Sequence, residues 1–272
     1  MALLLIAGAS AVGVAALIVA RRFAPPKGFL GEDSKAGGVF GVVGSGFAVL
    51  LAFVIFVGFN SYREAAGNAA SEAVAIRQMF RIADLFQPGD EAALRADLVC
   101  YARSVIGFEW EAMESQGDSN VPDVWLDGFE TTLATADVDD PRSQIALGHW
   151  LAQASIPQEG RRSRISEASP VVAPIVWVVL FIVGLTVIGF MLLFADRREH
   201  LFVQGFMLVA VTTMIVSGLV LVSFLDRPYG DHGGSIEPTA MEDTLASMEQ
   251  PMEPDAVAGV RCDATGAPLA EA

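Results

Sequence analysis

Glu109, Glu111 and Glu114 can be taken for a carboxylate cluster of the kind that does acid–base work. On a helix, however, Glu111 points away from the other two, so the trio reads as a solvated acidic face. His149, His200 and His232 are scattered, and no HExxH or CxxC is present. The glycine-rich run 38–46 has no Lys for a phosphate, and GxSxG is absent. The chain is therefore expected not to be an enzyme and to use no cofactor or metal. Cys100 and Cys262 are too few for a disulfide scaffold or a zinc cluster. They can pair if they face an oxidising compartment. Nothing in the sequence fixes their separation, so the favoured reading is a small buried hydrophobe at Cys100 and an exposed thiol at Cys262. Asp226, Arg227 and Pro228 close an apolar stretch. Such a pair at a membrane boundary anchors a helix end, and an Arg there also attracts anions; anchoring is the simpler role.

Four stretches without an ionisable side chain surround these residues: Ala2–Ala20, Val39–Phe59, Val171–Ala195 and Leu201–Leu225. About 20 apolar residues at 1.5 Å each cross a bilayer. The expected fold is all-α and polytopic, with four membrane helices in a 2+2 arrangement and a helical soluble domain inserted between the pairs. The expected boundaries are 1–59 for the first pair, 60–170 for the soluble domain, 171–225 for the second pair, and 226–272 for an acidic tail disordered from about 250. In the first stretch no basic residue precedes the apolar core, while Arg21 and Arg22 follow it. That order suits an uncleaved first helix with a translocated N-terminus.

Charge is distributed unevenly about the spans. The loops 21–38 and 196–200 hold Arg21, Arg22, Lys27, Lys35, Arg197 and Arg198 against Glu32, Asp33, Asp196 and Glu199, a balance of +2. The rest of the chain carries −17 of the net −15. Lys and Arg in short loops stay cytoplasmic, which puts the soluble domain outside. Arg161, Arg162 and Arg164, just before the third span, pull the other way, with Arg63 and Arg227 also close to spans. The acid excess makes a nucleic-acid partner unexpected.

Between the spans the pattern is helical. Ala69, Ala73, Ile76, Phe80 and Ala83 recur at helical spacing, so the second span continues as one long helix, flanked by Arg63, Glu64, Glu72, Arg77 and Arg81. Pro88-Gly89 ends it, and Asp90 is the expected cap of the next helix, with Leu94, Leu98, Tyr101, Val105 and Phe108 on one face. Trp125, Phe129 and Leu133 mark a further helix. Asp140-Pro141 starts another, carrying Ile145, Leu147, Trp150 and Leu151.

Inside the second span, Gly37, Gly41 and Ser45 lie four apart, a spacing that lets helix backbones approach within one subunit or about an oligomer axis. The span also carries Phe47, Leu51, Phe53, Val54, Phe56 and Phe59; a ring of such side chains, one set per subunit, can gate a pore by dewetting, and ordinary lipid-facing or core-facing surface is the simpler reading. The spans lack Asp, Glu, Lys, Arg and His, which argues against a proton relay or an ion-coupled transporter; passive conduction needs none.

Three blocks carry a resemblance: GVVGSGFAVLLAFVIFVGFNSYREAAGNAASEA, YARSVIGFEWEAM, and LDRPYGDHGGSIEP followed by LASM. With them the chain resembles the bacterial bestrophin-like domain family over most of 35–248. The resemblance implies a cell-membrane protein and a pentameric anion channel lined by the second helix, with Phe47, Leu51 and Val54 as its neck. It also implies a cytosolic soluble domain, against the charge balance. The chain departs from bestrophins in lacking an Ile-Pro-Phe-type neck and the acidic run that holds calcium. The alternative function is a non-conducting membrane scaffold or sensor whose acidic domain binds a partner or a cation.

Overall fold

The computed structural model describes residues 2–25, 29, 34–250 and 261–269. Its elements are helices: α1 (Ala2–Phe23), α2 (Ser34–Ala83), α3 (Pro88–Ser104), a π-helical turn (Val105–Glu109), α4 (Trp110–Glu114), α5 (Val121–Thr135), α6 (Pro141–Gln153), α7 (Ser155–Glu167), α8 (Pro174–Leu193), α9 (Leu201–Leu225) and α10 (Thr239–Glu249). Among the described residues there is no strand beyond an isolated bridge, Cys262 to Pro268. Four helices, α1, α2, α8 and α9, are long and apolar enough to cross a membrane. The chain divides into two compact units. A membrane unit comprises residues 1–61 and 170–226, and a helical unit comprises 62–169 and 227–272. At 50 residues, α2 is well over twice the length a span needs, and it contributes to both units.

In the membrane unit, α1 packs on α9, and α8 packs on both. The core joins Phe47, Leu51 and Val54 to Leu180, Val187, Ile215 and Val222. Glycines on the partner helices make room. A Cβ at Gly218 would lie 2.5 Å from Leu51 Cδ2, and one at Gly184 would lie 3.4 Å from Ile215 Cγ2. Close approach of this kind is what small residues provide in lipid. The C-terminal carbonyls of α1 are met by arginine: Arg197 Nε donates to Arg21 O at 2.6 Å, and its Nη2 donates to Arg22 O. Arg21 reaches back to Gln204 Oε1 and Glu199 O, both at 2.8 Å.

In the helical unit, α3 lies against α5 and α10. Its core includes Ile76, Phe80, Leu94, Leu98, Tyr101, Trp125, Phe129 and Trp150. Trp150 meets both Phe86 and Phe129 edge-on at 6.0 Å. Asp140 caps α6 as the sequence suggests, its Oδ1 accepting from the amides of Arg142 and Ser143 at 2.8 and 3.1 Å. The side chain and amide of Ser143, followed by Gln87 and the Arg142 amide, lower the Asp140 carboxyl to about 2.

Several expectations need correction. α3 starts at Pro88, not at a cap on Asp90: proline is pre-set for the first helical turn, and Asp90 lies within it. Ile145 and Leu151 of α6 face solvent. The tail expected to be disordered from about 250 falls partly outside the described residues, at 251–260 and 270–272. Residues 261–269, by contrast, form a turn packed in the helical unit.

Candidate functional site

The membrane half of α2 has two faces of different fate. Phe47, Leu51 and Val54 are buried, at 5%, 6% and 7% exposure, against α8 and α9. The expected neck residues are therefore core residues of the single chain. The opposite face carries Val49, Phe53 and Phe56, exposed at 70%, 64% and 62%. Gly37, Gly41 and Ser45 are also exposed, and a Cβ at Gly37 or Gly41 would meet nothing within 4 Å. Packing inside the chain is thus not what these small residues serve. Ser45 Oγ donates back to Val42 O at 3.0 Å, the usual fate of a hydroxyl in an apolar helix.

Asp226 anchors a helix start. Its Oδ1 accepts from Val172 N at 2.6 Å and its Oδ2 from Trp177 Nε1 at 3.3 Å, just before and within the first turn of α8. Arg227 is exposed and Pro228 is buried. Pro228 O accepts from Ile236 N at 2.8 Å. Tyr229, next in line, donates its hydroxyl to Ala65 O at 3.0 Å and stacks edge-on with Trp110.

The helical unit hides an ionic cluster. Arg164 of α7 is fully buried and forks onto Glu72, Nε to Oε2 at 2.8 Å and Nη2 to Oε1 at 3.0 Å. Its Nη2 also reaches Glu109 Oε2 at 2.6 Å, and its guanidinium lies over the Trp110 ring. Arg161 binds Glu109 Oε1 at 2.7 Å and pairs with Asp123. Tyr101 donates to Glu72 Oε1 at 2.7 Å. Burial alone would lower the Arg164 pKa; Glu72 and then Glu109 overcome it and hold it above the ordinary value. Burial, reinforced by Glu72, pushes Tyr101 well up. Every carboxylate oxygen of Glu72 and Glu109 accepts a bond, so the cluster clamps α2, the π-turn and α7 rather than offering ligands.

This corrects two sequence readings. Glu109 is buried while Glu111 and Glu114 are exposed, and Glu72 is buried rather than flanking. The π-turn reshapes this face. Its wider winding carries Trp110 round toward the face that Tyr101 and Val105 bury, a face that Glu109, four residues beyond Val105, continues.

Cys100 and Cys262 are bonded, Cα to Cα 5.7 Å, where the sequence favoured free thiols. The turn 261–269 brings them together. Asp263 Oδ1 accepts from the amides of Thr265 and Ala267 at 2.8 and 2.9 Å. Trp125 Nε1 donates to Gly266 O at 2.9 Å, and Arg103 Nη1 to Asp263 O at 3.2 Å. Gly266 has φ +88°, and a Cβ there would lie 2.2 Å from Ser104 N. Beside the turn, burial raises Asp97 to about 6 against the pull of Arg261.

Comparison with known proteins follows this geometry. The sequence profile of the bestrophin-like domain matches residues 7–241. No curated protein matches the chain by sequence. Among solved structures, a bacterial bestrophin homologue from Klebsiella pneumoniae superposes with TM-score 0.67 at 15% identity, covering 91% of this chain and 100% of its own. Two of its point variants superpose at TM-scores of 0.67 and 0.65, at 15% and 17% identity, over 89% of this chain and 98% and 96% of theirs. With the fold shared over nearly the whole length and the profile covering most of the chain, this polypeptide belongs to the bestrophin-like domain family.

Proposed function

We propose that the chain assembles in the bacterial cell membrane as a homopentamer whose α2 helices surround an anion pathway. The observation that carries this reading is the division of α2. One face is consumed by α8 and α9, while the other, uncharged and lined by Gly37, Gly41, Ser45, Val49, Phe53 and Phe56, has no partner helix among the described residues. The small residues let copies approach, and the larger ones narrow the path. The neck thus shifts from Phe47, Leu51 and Val54 to Val49, Phe53 and Phe56. A ring of such side chains gates by dewetting. Phenyl edges carry partial positive charge, which favours an anion over a cation. Five copies and the anion follow the likeness to bestrophins.

Two measurements on the purified chain test this. Native mass spectrometry from nanodiscs is expected to give five copies, and a strict monomer overturns the reading. Planar bilayers under a KCl gradient are expected to reverse near the chloride potential. An intact oligomer that stays silent at varied pH, calcium and voltage moves the function to a scaffold or sensor.

A further inference from the structure

We infer that the helical unit lies on the oxidising, extracytoplasmic side of the membrane, fastened there by the Cys100–Cys262 bond, in contrast to the cytosolic placement that the bestrophin likeness implies. Three observations converge. First, the two cysteines lie 162 positions apart, yet a turn built to fit holds them at bonding distance. Gly266 approaches Ser104, Thr265 approaches Gly107, and Trp125 and Arg103 bind the backbone of the turn. Structural disulfides do not persist in a reducing cytosol. Second, Arg21 and Arg197 are knotted at the ends of α1, α8 and α9, beside Arg22 and Arg198. Short-loop arginines next to spans mark the cytoplasmic side. Third, the contrary signal in the sequence is reduced. Arg161 and Arg164, which precede α8, are paired with Glu72, Glu109 and Asp123, which leaves Arg63, Arg162 and Arg227 as the exposed arginines of that signal.

The bond forms by exchange with an extracytoplasmic thiol oxidase that carries a reactive disulfide. One cysteine thiolate attacks that disulfide, giving a mixed disulfide and releasing one oxidase sulfur as thiolate. The second cysteine thiolate attacks the sulfur of the first, closes the Cys100–Cys262 bond and expels the other oxidase sulfur. The oxidase gains two electrons, and the two cysteine protons pass to its dithiol.

Sidedness is independent of conduction, so a silent bilayer leaves it untouched. The test uses the full chain in a Gram-negative host, with Asp118→Cys or Arg198→Cys introduced singly, and a membrane-impermeant maleimide applied to spheroplasts. Position 118 is expected to label before permeabilisation and position 198 only after it; the reverse pattern overturns the inference. The unaltered chain gives a second reading. After acid trapping and alkylation under denaturing conditions it is expected to carry no free thiol in a host with the oxidase and two free thiols in a host without it. Two free thiols in the oxidase-proficient host overturn the inference.

Discussion

Removing the Arg164 side chain leaves Glu72 and Glu109, both without solvent exposure, short of a counter-charge. Breaking a buried pair from one side costs about 3–5 kcal/mol, because the remaining charge stays desolvated. Arg164→Met is expected to lower the stability of the helical unit by that amount in thermal or denaturant unfolding. Arg164→Lys is expected to recover only part of it, since an ammonium cannot reproduce the fork onto Glu72. Asp97 works in the opposite sense. Its folded value of about 6 lies above the ~3.9 of an unfolded chain, so the ionised carboxylate is a cost to the folded state. That cost is fully present above pH ~6 and disappears as the pH falls toward ~4, so this group favours folding on acidification. Asp97→Asn is expected to raise stability at pH 7 by about 1–3 kcal/mol and to flatten the stability profile between pH ~4 and ~6. A steeper profile in the variant would contradict this account.

At the scale of the element, α2 makes the sharpest prediction, because substitutions two residues apart act on different properties. Leu51→Ala opens a cavity beneath Gly218 and is expected to cost about 2–5 kcal/mol, seen as a lower unfolding midpoint in detergent. Phe53→Ala removes an exposed ring, so it is expected to leave monomer stability within about 0.5 kcal/mol and to change unitary conductance in bilayers. The same helix shows what the sequence could convey. A run without charge between Val39 and Phe59 announces a span. Yet a helix that is apolar all round carries no stripe to say which face turns inward, so the sequence leaves open whether Phe47, Leu51 and Val54 face a core or an axis. The mirror case is α7. It is polar along its length and is held by Arg161 and Arg164 rather than by an apolar face, so hydrophobic periodicity passes over it. A basic pair three residues apart, with Glu72 and Glu109 each in line with an apolar helix face, was the available signal. Where burial was apolar and the turns regular, as for Leu94, Leu98, Tyr101, Trp125, Phe129 and Trp150, periodicity found the core.

For the molecule as a whole, the Cys100–Cys262 bond closes the longest covalent loop, across a sequence separation of 162. In the chain-entropy account, tying residues so far apart removes about 5 kcal/mol of freedom from the unfolded ensemble, toward the upper end of what single disulfides deliver. The turn 261–269 otherwise rests on a few polar contacts, those of Arg103, Trp125 and Asp263, each worth about 0.5–1.5 kcal/mol net. The covalent term is therefore of the same order as all the others together. Reduction, or Cys262→Ser, is expected to lower the stability of the helical unit by about 2–5 kcal/mol. Amide exchange is expected to quicken first in 261–269 and next in the π-turn around Gly107, where the backbone of Thr265 now sits. Exchange in α8 and α9 is expected to stay unchanged, because their core of Leu180, Val187, Ile215 and Val222 owes nothing to the bond. Hydrogen exchange with mass spectrometry, run with and without reductant, separates the cases. Unchanged protection in 261–269 after reduction would mean that packing alone holds the turn. Loss of protection throughout the membrane helices would mean that the bond supports the entire chain.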